Sequence, residues 1–517
     1  MKSTVSLLLF LSCAHGFKIL VYSPLFGVSH VTTLGGVADI LVEEGMDVTV
    51  VLPKMSPKIT SNGTKLAKTI TIESDPRVVD YFRDDSYIAT VWTSEDSLFE
   101  AKALMTKATV VHGHQCETNL KQRELLDSLR KEKFDLGISE VFDLCGLAMF
   151  EEIGLQNHVL YQTALLPERV ATAFGAPNVP SVVPSYYSEA PMHMGYKQRL
   201  KNLLKMLFST WWTGSVLEST ENVVQKVLKK EFDLSRKLEE ASFVFTNADP
   251  ILDFPRPTTE RIVNIGGLSM PEPKPLNKYW DELITRRTSA VFVSFGSFAQ
   301  SYTMPSEMKK AVLETFRRFP EVTFIWKYEI DEDEVAKDVP NVVTHKWVPQ
   351  NDLLAHPNLK LFVTHAGMNS ILESTRRGVP MITIPLFADQ MRNAQMVKRL
   401  GTAQVFDKLL LFDSDQFEKC IREILDNPSY RKNASRLSQM MAKRPRNQRE
   451  ELVKHIKFAA EFGSLPEYRI PQLSFLQYYM LDIIVPCLIS LVLLFFSIFR
   501  LIPLLVKYVA SRKEKQL

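Results

Sequence analysis

Between Trp347 and Gln390 the chain gathers residues suited to holding a phosphorylated nucleotide. The stretch reads Trp347-Val-Pro-Gln350-Asn-Asp-Leu-Leu, an apolar run Leu361-Phe-Val363, then Thr364-His365-Ala-Gly367-Met-Asn369-Ser370, Glu373, and finally Pro385-Leu-Phe-Ala-Asp389-Gln390. The apolar run has the character of a strand, and His365-Ala-Gly367 punctuates its end. The helix that follows is expected to take Asn369 as its cap, leaving free N–H groups near Asn369 and Ser370 directed into a crevice. A helix start behind a parallel strand attracts phosphate. Gly367 lets the backbone come close to a ligand. Trp347 offers a flat face to a base, and Glu373, one turn into the helix, can accept from ribose hydroxyls. Asp389 and Gln390 follow the next strand at the same edge, with side chains suited to sugar hydroxyls. Together these residues describe a nucleotide-sugar cradle.

Moving a sugar from such a donor to a hydroxyl needs a base for the acceptor's proton. His30 has the position: it comes just after a first apolar strand, Lys18–Tyr22, at a carboxyl edge facing a cleft. A neutral imidazole takes a proton near pH 7, and a carboxylate orients it and stabilises the imidazolium.

The ordered motifs resemble the donor-binding signature of the UDP-glycosyltransferases over nearly the whole chain, and the C-terminal end is similar to that of the membrane-bound animal UDP-glucuronosyltransferases. The resemblance implies that Trp347 stacks on uracil, Gln350 contacts its edge or the ribose, and Glu373 binds the ribose. His365 then faces the diphosphate, while Ser297, after the Phe295-Gly296 turn, joins Asn369 and Ser370 around the phosphates. Asp389 and Gln390 hold the sugar, with Asn393 a weaker candidate. In the family a carboxylate beyond a Phe-Asp strand orients the base. Counting back from Cys145-Gly146 places Glu140 there, one methylene longer than the family's usual Asp, with Asp143 as the alternative. Arg256, in a Phe-Pro-Arg-Pro turn shared with relatives, either contacts a sugar carboxylate or braces a loop.

The implied fold is α/β of GT-B type, two Rossmann-like doubly wound domains facing a cleft. The implied reaction is inverting transfer of a sugar, glucuronic acid or glucose, from UDP-sugar to a hydroxyl of a small lipophilic acceptor. The UDP-sugar is a co-substrate and no cofactor or metal is called for; Asp331-Glu-Asp333 reads as a solvated loop. A competing reading is a membrane-tethered partner that holds UDP-sugar without catalysis, motivated by the substitution at the carboxylate. Homo- or hetero-oligomers are compatible with either.

A chain of 517 residues suffices for two domains and appendages. An apolar content of 45% with a net charge of +3 excludes a disordered chain and gives no sign of a nucleic-acid partner. Residues 1–16 read as a signal peptide, 17–266 as the acceptor-binding domain, 267–284 as a linker and 285–445 as the UDP-sugar-binding domain. Residues 446–470 hold a helix that, by the resemblance, crosses back to the first domain. Strand and helix alternate through both halves, as a parallel sheet requires. Met192 to Trp212 is basic on one side and apolar on the other, suiting a helix on a bilayer surface, over an acceptor pocket, or packed on its own domain.

Residues 481–506 are long and apolar enough to cross a bilayer, and 507–517 form a short basic tail. With a signal peptide this gives a single-pass chain with its bulk in the lumen. Lys513 and Lys515 resemble the dilysine address for the endoplasmic reticulum. Asn62-Gly-Thr64 and Asn433-Ala-Ser435 are glycosylation acceptors in form. Of five cysteines, Cys13 leaves with the signal and Cys487 lies in the span, so the remaining three imply no disulfide framework.

Overall fold

Short segments, most of them apolar and buried on both faces, assemble into two parallel sheets. The computed structural model describes residues 16–83, 89–94, 98–471 and 473–515, so the expected signal peptide lies outside the described residues but for Gly16. The first sheet comprises β1 (Lys18–Tyr22), β2 (Asp47–Pro53), β3 (Lys68–Ile72), β4 (Leu136–Glu140), β5 (His158–Gln162), β6 (Val244–Thr246) and β7 (Ile262–Asn264), in the order β3-β2-β1-β4-β5-β6-β7. The second comprises β8 (Ser289–Ser294), β9 (Val322–Lys327), β10 (Val342–His345), β11 (Leu359–Thr364), β12 (Met381–Thr383) and β13 (Ala403–Val405), in the order β10-β9-β8-β11-β12-β13. Both are doubly wound. The order reverses between β1 and β4 in one sheet and between β8 and β11 in the other, which is where such sheets open a crevice beyond their carboxyl ends.

The two halves exchange elements. Trp92, from the first half, is fully buried against Phe295 (ring centroids 4.9 Å) and donates to Thr303 Oγ1 at 3.0 Å. In return, the helix Gln448–Phe462 buries Leu452, Ile456 and Ala459 against Ile19, Val21 and Ile138 of the first sheet. Burial of this kind, at about 25 cal/mol per Å² of apolar surface, is what holds the cleft's walls.

Three expectations need correction. Cys116 and Cys145 are disulfide-bonded, 29 residues apart. The helix Leu98–Lys121 lays Cys116 over the start of the helix Cys145–Ile153, a proximity that only the tertiary fold creates. The segment expected at Met192–Trp212 is a longer helix, Tyr196–Leu228; its first half turns polar residues to the protein, and its second half buries Leu217 and Val224 in the core. Asn202 holds the backbone of Pro180, Val183 and Ser185, and Lys205 pairs with Glu189. Leu200, Leu204, Leu207 and Trp211 are left exposed. Finally, Asn369 does not cap its helix. The helix Met368–Arg377 has Gly367 as N-cap, which puts Asn369 inside the first turn.

Residues 469–517 form a separate unit. Its helix Leu481–Glu514 is long and apolar enough to cross a membrane, and it continues through most of the basic tail. Pro486 and Pro503 lie inside it, where each removes a backbone hydrogen bond.

Candidate active site

Parallel strands deliver their C-terminal residues to one edge, and register decides which of them meet. Tyr22 of β1 pairs with Ser139 of β4, and Glu140 pairs with Tyr161 of β5. His30, third residue of the helix Val28–Glu43, therefore stands over the end of β4. Its Nδ1 lies 2.7 Å from Glu140 Oε1. Glu140 is wholly buried; the Thr163 hydroxyl, just beyond β5, donates to the same oxygen, and Oε2 has no hydrogen-bond partner among the described residues. With Nδ1–H directed at the carboxylate, the imidazole keeps the lone pair of Nε2. The ring rests on Phe26, with centroids 4.4 Å apart, and meets Phe142 edge-on at 4.9 Å. Asp143 is engaged elsewhere: it accepts from the Cys145 amide and the Tyr22 hydroxyl and lies 3.3 Å from His112 Nδ1.

The second sheet's edge carries the other candidates. β11 pairs Thr364 with Ser294 of β8 and Thr383 of β12, so the turns after these three strands lie side by side. Ser297 is exposed on the first turn, beyond Gly296 at φ +85°. His365 is wedged between glycines, since a Cβ at Gly296 would come within 2.7 Å of its ring and one at Gly367 within 2.6 Å. Burial, then the nearby Lys327 charge, push its pKa down to about 4, so the ring is neutral at pH 7. The helix behind Gly367 presents the unpaired first-turn amides of Met368, Asn369 and Ser370, the positive end of its dipole. Ala366 (φ +67°) and Ala388 (φ +56°) hold left-handed backbone in the two adjoining loops, strain of a kind that clusters at functional sites.

Trp347 is 70% exposed, a flat apolar face turned to solvent. Behind it Gln350 donates to Glu373 and, at 3.3 Å, to Ser370 Oγ, joining the ribose and phosphate candidates in one network. Burial raises the Glu373 pKa, against the Gln350 hydrogen bond and the Arg377 charge. Asp389 accepts from Asn393 at 2.7 Å; burial raises its pKa, while Asn393 and the charge of His30 across the cleft act to lower it. The side-chain oxygen of Gln390 accepts from the Leu386 and Phe387 amides, which fixes that loop and leaves its NH₂ group for other partners. Arg256 is spent on a brace, donating to the Leu166 carbonyl at 3.4 Å.

Residues that the motifs did not flag complete the edge. Lys327, the last residue of β9, donates to the Gly296 carbonyl at 2.8 Å and to Glu329 at 2.9 Å beside the His365 ring. Asn247, just after β6, donates to Asn369 Oδ1 at 2.6 Å, and Asn369 donates in turn to Thr33 at 3.3 Å, one turn beyond His30. These bonds tie the two edges across the cleft. Each of these residues sits where its strand ends, and that placement was the available signal.

Residues 18–516 match the family model described as "UDP-glucoronosyl and UDP-glucosyl transferase". UDP-glucuronosyltransferase 1A7 of Mus musculus is 28% identical over 488 residues, covering 93% of this chain and 90% of its own. The Caenorhabditis elegans protein ugt-55 is 30% identical over 413 residues, covering 78% of this chain and 79% of its own. Among solved structures, a UDP-glucosyltransferase from Polygonum tinctorium superposes with a TM-score of 0.59 at 16% identity, over 86% of this chain and 99% of its own. That likeness is one of fold, and the fold is GT-B.

Proposed function

The chain belongs to the UDP-glucuronosyl and UDP-glucosyl transferase family, and from that premise we propose that it transfers glucuronic acid from UDP-glucuronate to a hydroxyl of a small lipophilic acceptor, with inversion at the anomeric carbon. The observation that carries this reading is the 2.7 Å contact between His30 and the buried Glu140, set across the cleft from Asp389. His30 Nε2 takes the proton of the acceptor hydroxyl as its oxygen attacks the anomeric carbon. The bond from that carbon to the diphosphate breaks, and its electron pair leaves with UDP. Glu140 stabilises the imidazolium, which then loses its proton to solvent. Charge growing on the diphosphate meets the amides at the start of the helix Met368–Arg377, the Ser297 hydroxyl and an N–H of neutral His365. Asp389 and the NH₂ group of Gln390 take the sugar, and Trp347 the uracil. No cofactor or metal has a role in this scheme.

Glucuronate is placed before glucose because of the names of the curated mammalian relatives. The C-terminal helix and the Lys513 and Lys515 pair support residence in the endoplasmic reticulum membrane, with the catalytic half in the lumen. The dyad contact speaks against a binding partner without activity.

The test is product formation by microsomes expressing the chain, with UDP-glucuronate and UDP-glucose offered separately to a panel of phenols and lipophilic alcohols. Conjugates are expected from UDP-glucuronate. Conjugates from UDP-glucose alone would reassign the sugar, and none from either donor would overturn the reading.

A further inference from the structure

A second histidine–carboxylate pair stands beside the first. His112, on the helix Leu98–Lys121, places Nδ1 3.3 Å from Oδ2 of Asp143. Asp143 is only 4% exposed and is firmly held: the Tyr22 hydroxyl reaches the same oxygen at 3.2 Å, the Cys145 amide donates to the other at 3.1 Å, and Asn119 backs Tyr22 at 3.0 Å. The Cys116–Cys145 disulfide clamps the two segments that bear the pair. Cys116 is one helical turn beyond His112, on the same face, and Cys145 is two residues beyond Asp143.

The pair also reaches the space in front of His30. Phe26 lies against His30 at 4.4 Å between centroids and edge-on to His112 at 5.2 Å, so one phenyl ring has an imidazole on each flank. Phe142, 39% exposed, adds a second apolar face beside His30. The Nδ1 atom of His112 is buried and has no hydrogen-bond partner among the described residues, while its side chain is 21% exposed, so the exposed part of the ring lies away from Nδ1.

We propose that His112, beside the Asp143 carboxylate, is a specificity-determining residue that accepts a hydrogen bond from a second hydroxyl of the acceptor, so that the pocket selects flat aromatic diols over their mono-ols. This assignment rests on the transfer reading above. The Asp143 carboxylate, 3.3 Å from Nδ1 but not in hydrogen-bonding alignment with it, favours the tautomer with the proton on Nδ1, which leaves the lone pair on Nε2. A polar atom that lines a pocket discriminates against analogues that leave it unpaired. The reacting hydroxyl goes to His30, the aromatic body lies along Phe26 and Phe142, and the second hydroxyl meets His112.

The experiment uses the full chain in microsomes with 2,7-dihydroxynaphthalene and 7-methoxy-2-naphthol, which keeps the ring and loses the second O–H. Wild type is expected to favour the diol in kcat/KM by about tenfold, through KM, the scale of one neutral hydrogen bond. H112F should bring the ratio down to about twofold, the statistical advantage of the diol's two equivalent hydroxyls, and H112Q, whose amide oxygen still accepts, should restore part of the preference. UDP binding verifies that each variant is folded, and H112L replaces H112F if the larger ring prevents folding. An unchanged preference in a variant that still binds UDP and turns over would overturn the His112 assignment alone. Failure of wild type to conjugate either naphthol, while it conjugates other members of the acceptor panel, would overturn this assignment alone, and failure across the whole panel would overturn the transfer reading with it.

Discussion

Replacing Gly296 or Gly367 with alanine presses on one imidazole from two sides. The new Cβ at 296 would lie 2.7 Å from His365 Cε1 and 2.8 Å from Nε2, and the one at 367 would lie 2.6 Å from Nε2. Non-bonded carbon contacts settle at about 3.5–4.0 Å, so in either variant the ring must retreat by close to an ångström. Backbone geometry separates the two. Gly296 has φ +85°, where a side chain costs about 1–2 kcal/mol, offset by about 0.4–1 kcal/mol from a stiffer unfolded chain. Gly367 has φ −63° and carries no such cost. G296A should therefore be less stable by about 1 kcal/mol, while G367A loses a favourable N-cap residue, worth about 0.5–1 kcal/mol, and shifts His365. A displacement of about 1 Å at a reacting centre typically costs on the order of 10²-fold, and both variants should lose that much turnover. Thermal unfolding, UDP affinity and initial rates on the same preparations read the three effects. A folded G367A with wild-type turnover and UDP affinity would refute the placement of His365 at the diphosphate.

Trp347→Ala should leave stability unchanged, because the ring is 70% exposed. It should weaken UDP binding by about 1–3 kcal/mol, the worth of one base–aromatic stack; calorimetry showing wild-type affinity would remove Trp347 from the site. His365 titrates in the fold at about 4, below its ordinary 6.5, so the unfolded chain takes up that proton first. Its contribution to stability is complete above pH 6.5 and is lost as pH falls toward 4. H365Q should flatten that part of an acid unfolding curve followed by circular dichroism, and identical slopes would contradict the assignment. On the proposed lumenal orientation, Asn62 should carry glycan, since it is exposed in a loop, whereas Asn433 lies in the helix Pro428–Ala442 and its amide donates to the Gly401 carbonyl at 3.1 Å. Glycosidase-sensitive mobility should vanish in N62Q and persist in N433Q; the reverse would show that the helix position is the one modified.

Most of the fold was legible because parallel strands buried on both faces are near-continuous apolar runs, as at Val322–Lys327 and Leu359–Thr364. β3 was not, since Lys68–Ile72 is an edge strand with mostly exposed side chains and a polar alternation. β13 has only three residues. Donor-side residues were legible because they are contiguous in the loops after β11 and β12. Lys327, Thr163 and Asn247 were not, because each is a single polar residue whose importance depends on which strand ends lie side by side. Asn369 misled as a cap: Gly367 takes that role, which frees the Asn369 side chain to reach Asn247. Nothing in the residue types announced left-handed backbone at Ala366 and Ala388, since alanine rarely adopts it. The helix Tyr196–Leu228 shows the limit of periodicity, which finds an amphipathic helix without saying which side faces the protein.

The central claim is that His30, held by Glu140, removes the acceptor's proton. The most direct measurement is the rate of sugar transfer in H30A and E140Q, with UDP affinity measured on the same preparations. H30A should lose on the order of 10²–10⁴-fold in rate, E140Q should fall between H30A and wild type, and both should bind UDP as wild type does. Transfer by H30A at the wild-type rate would contradict the claim.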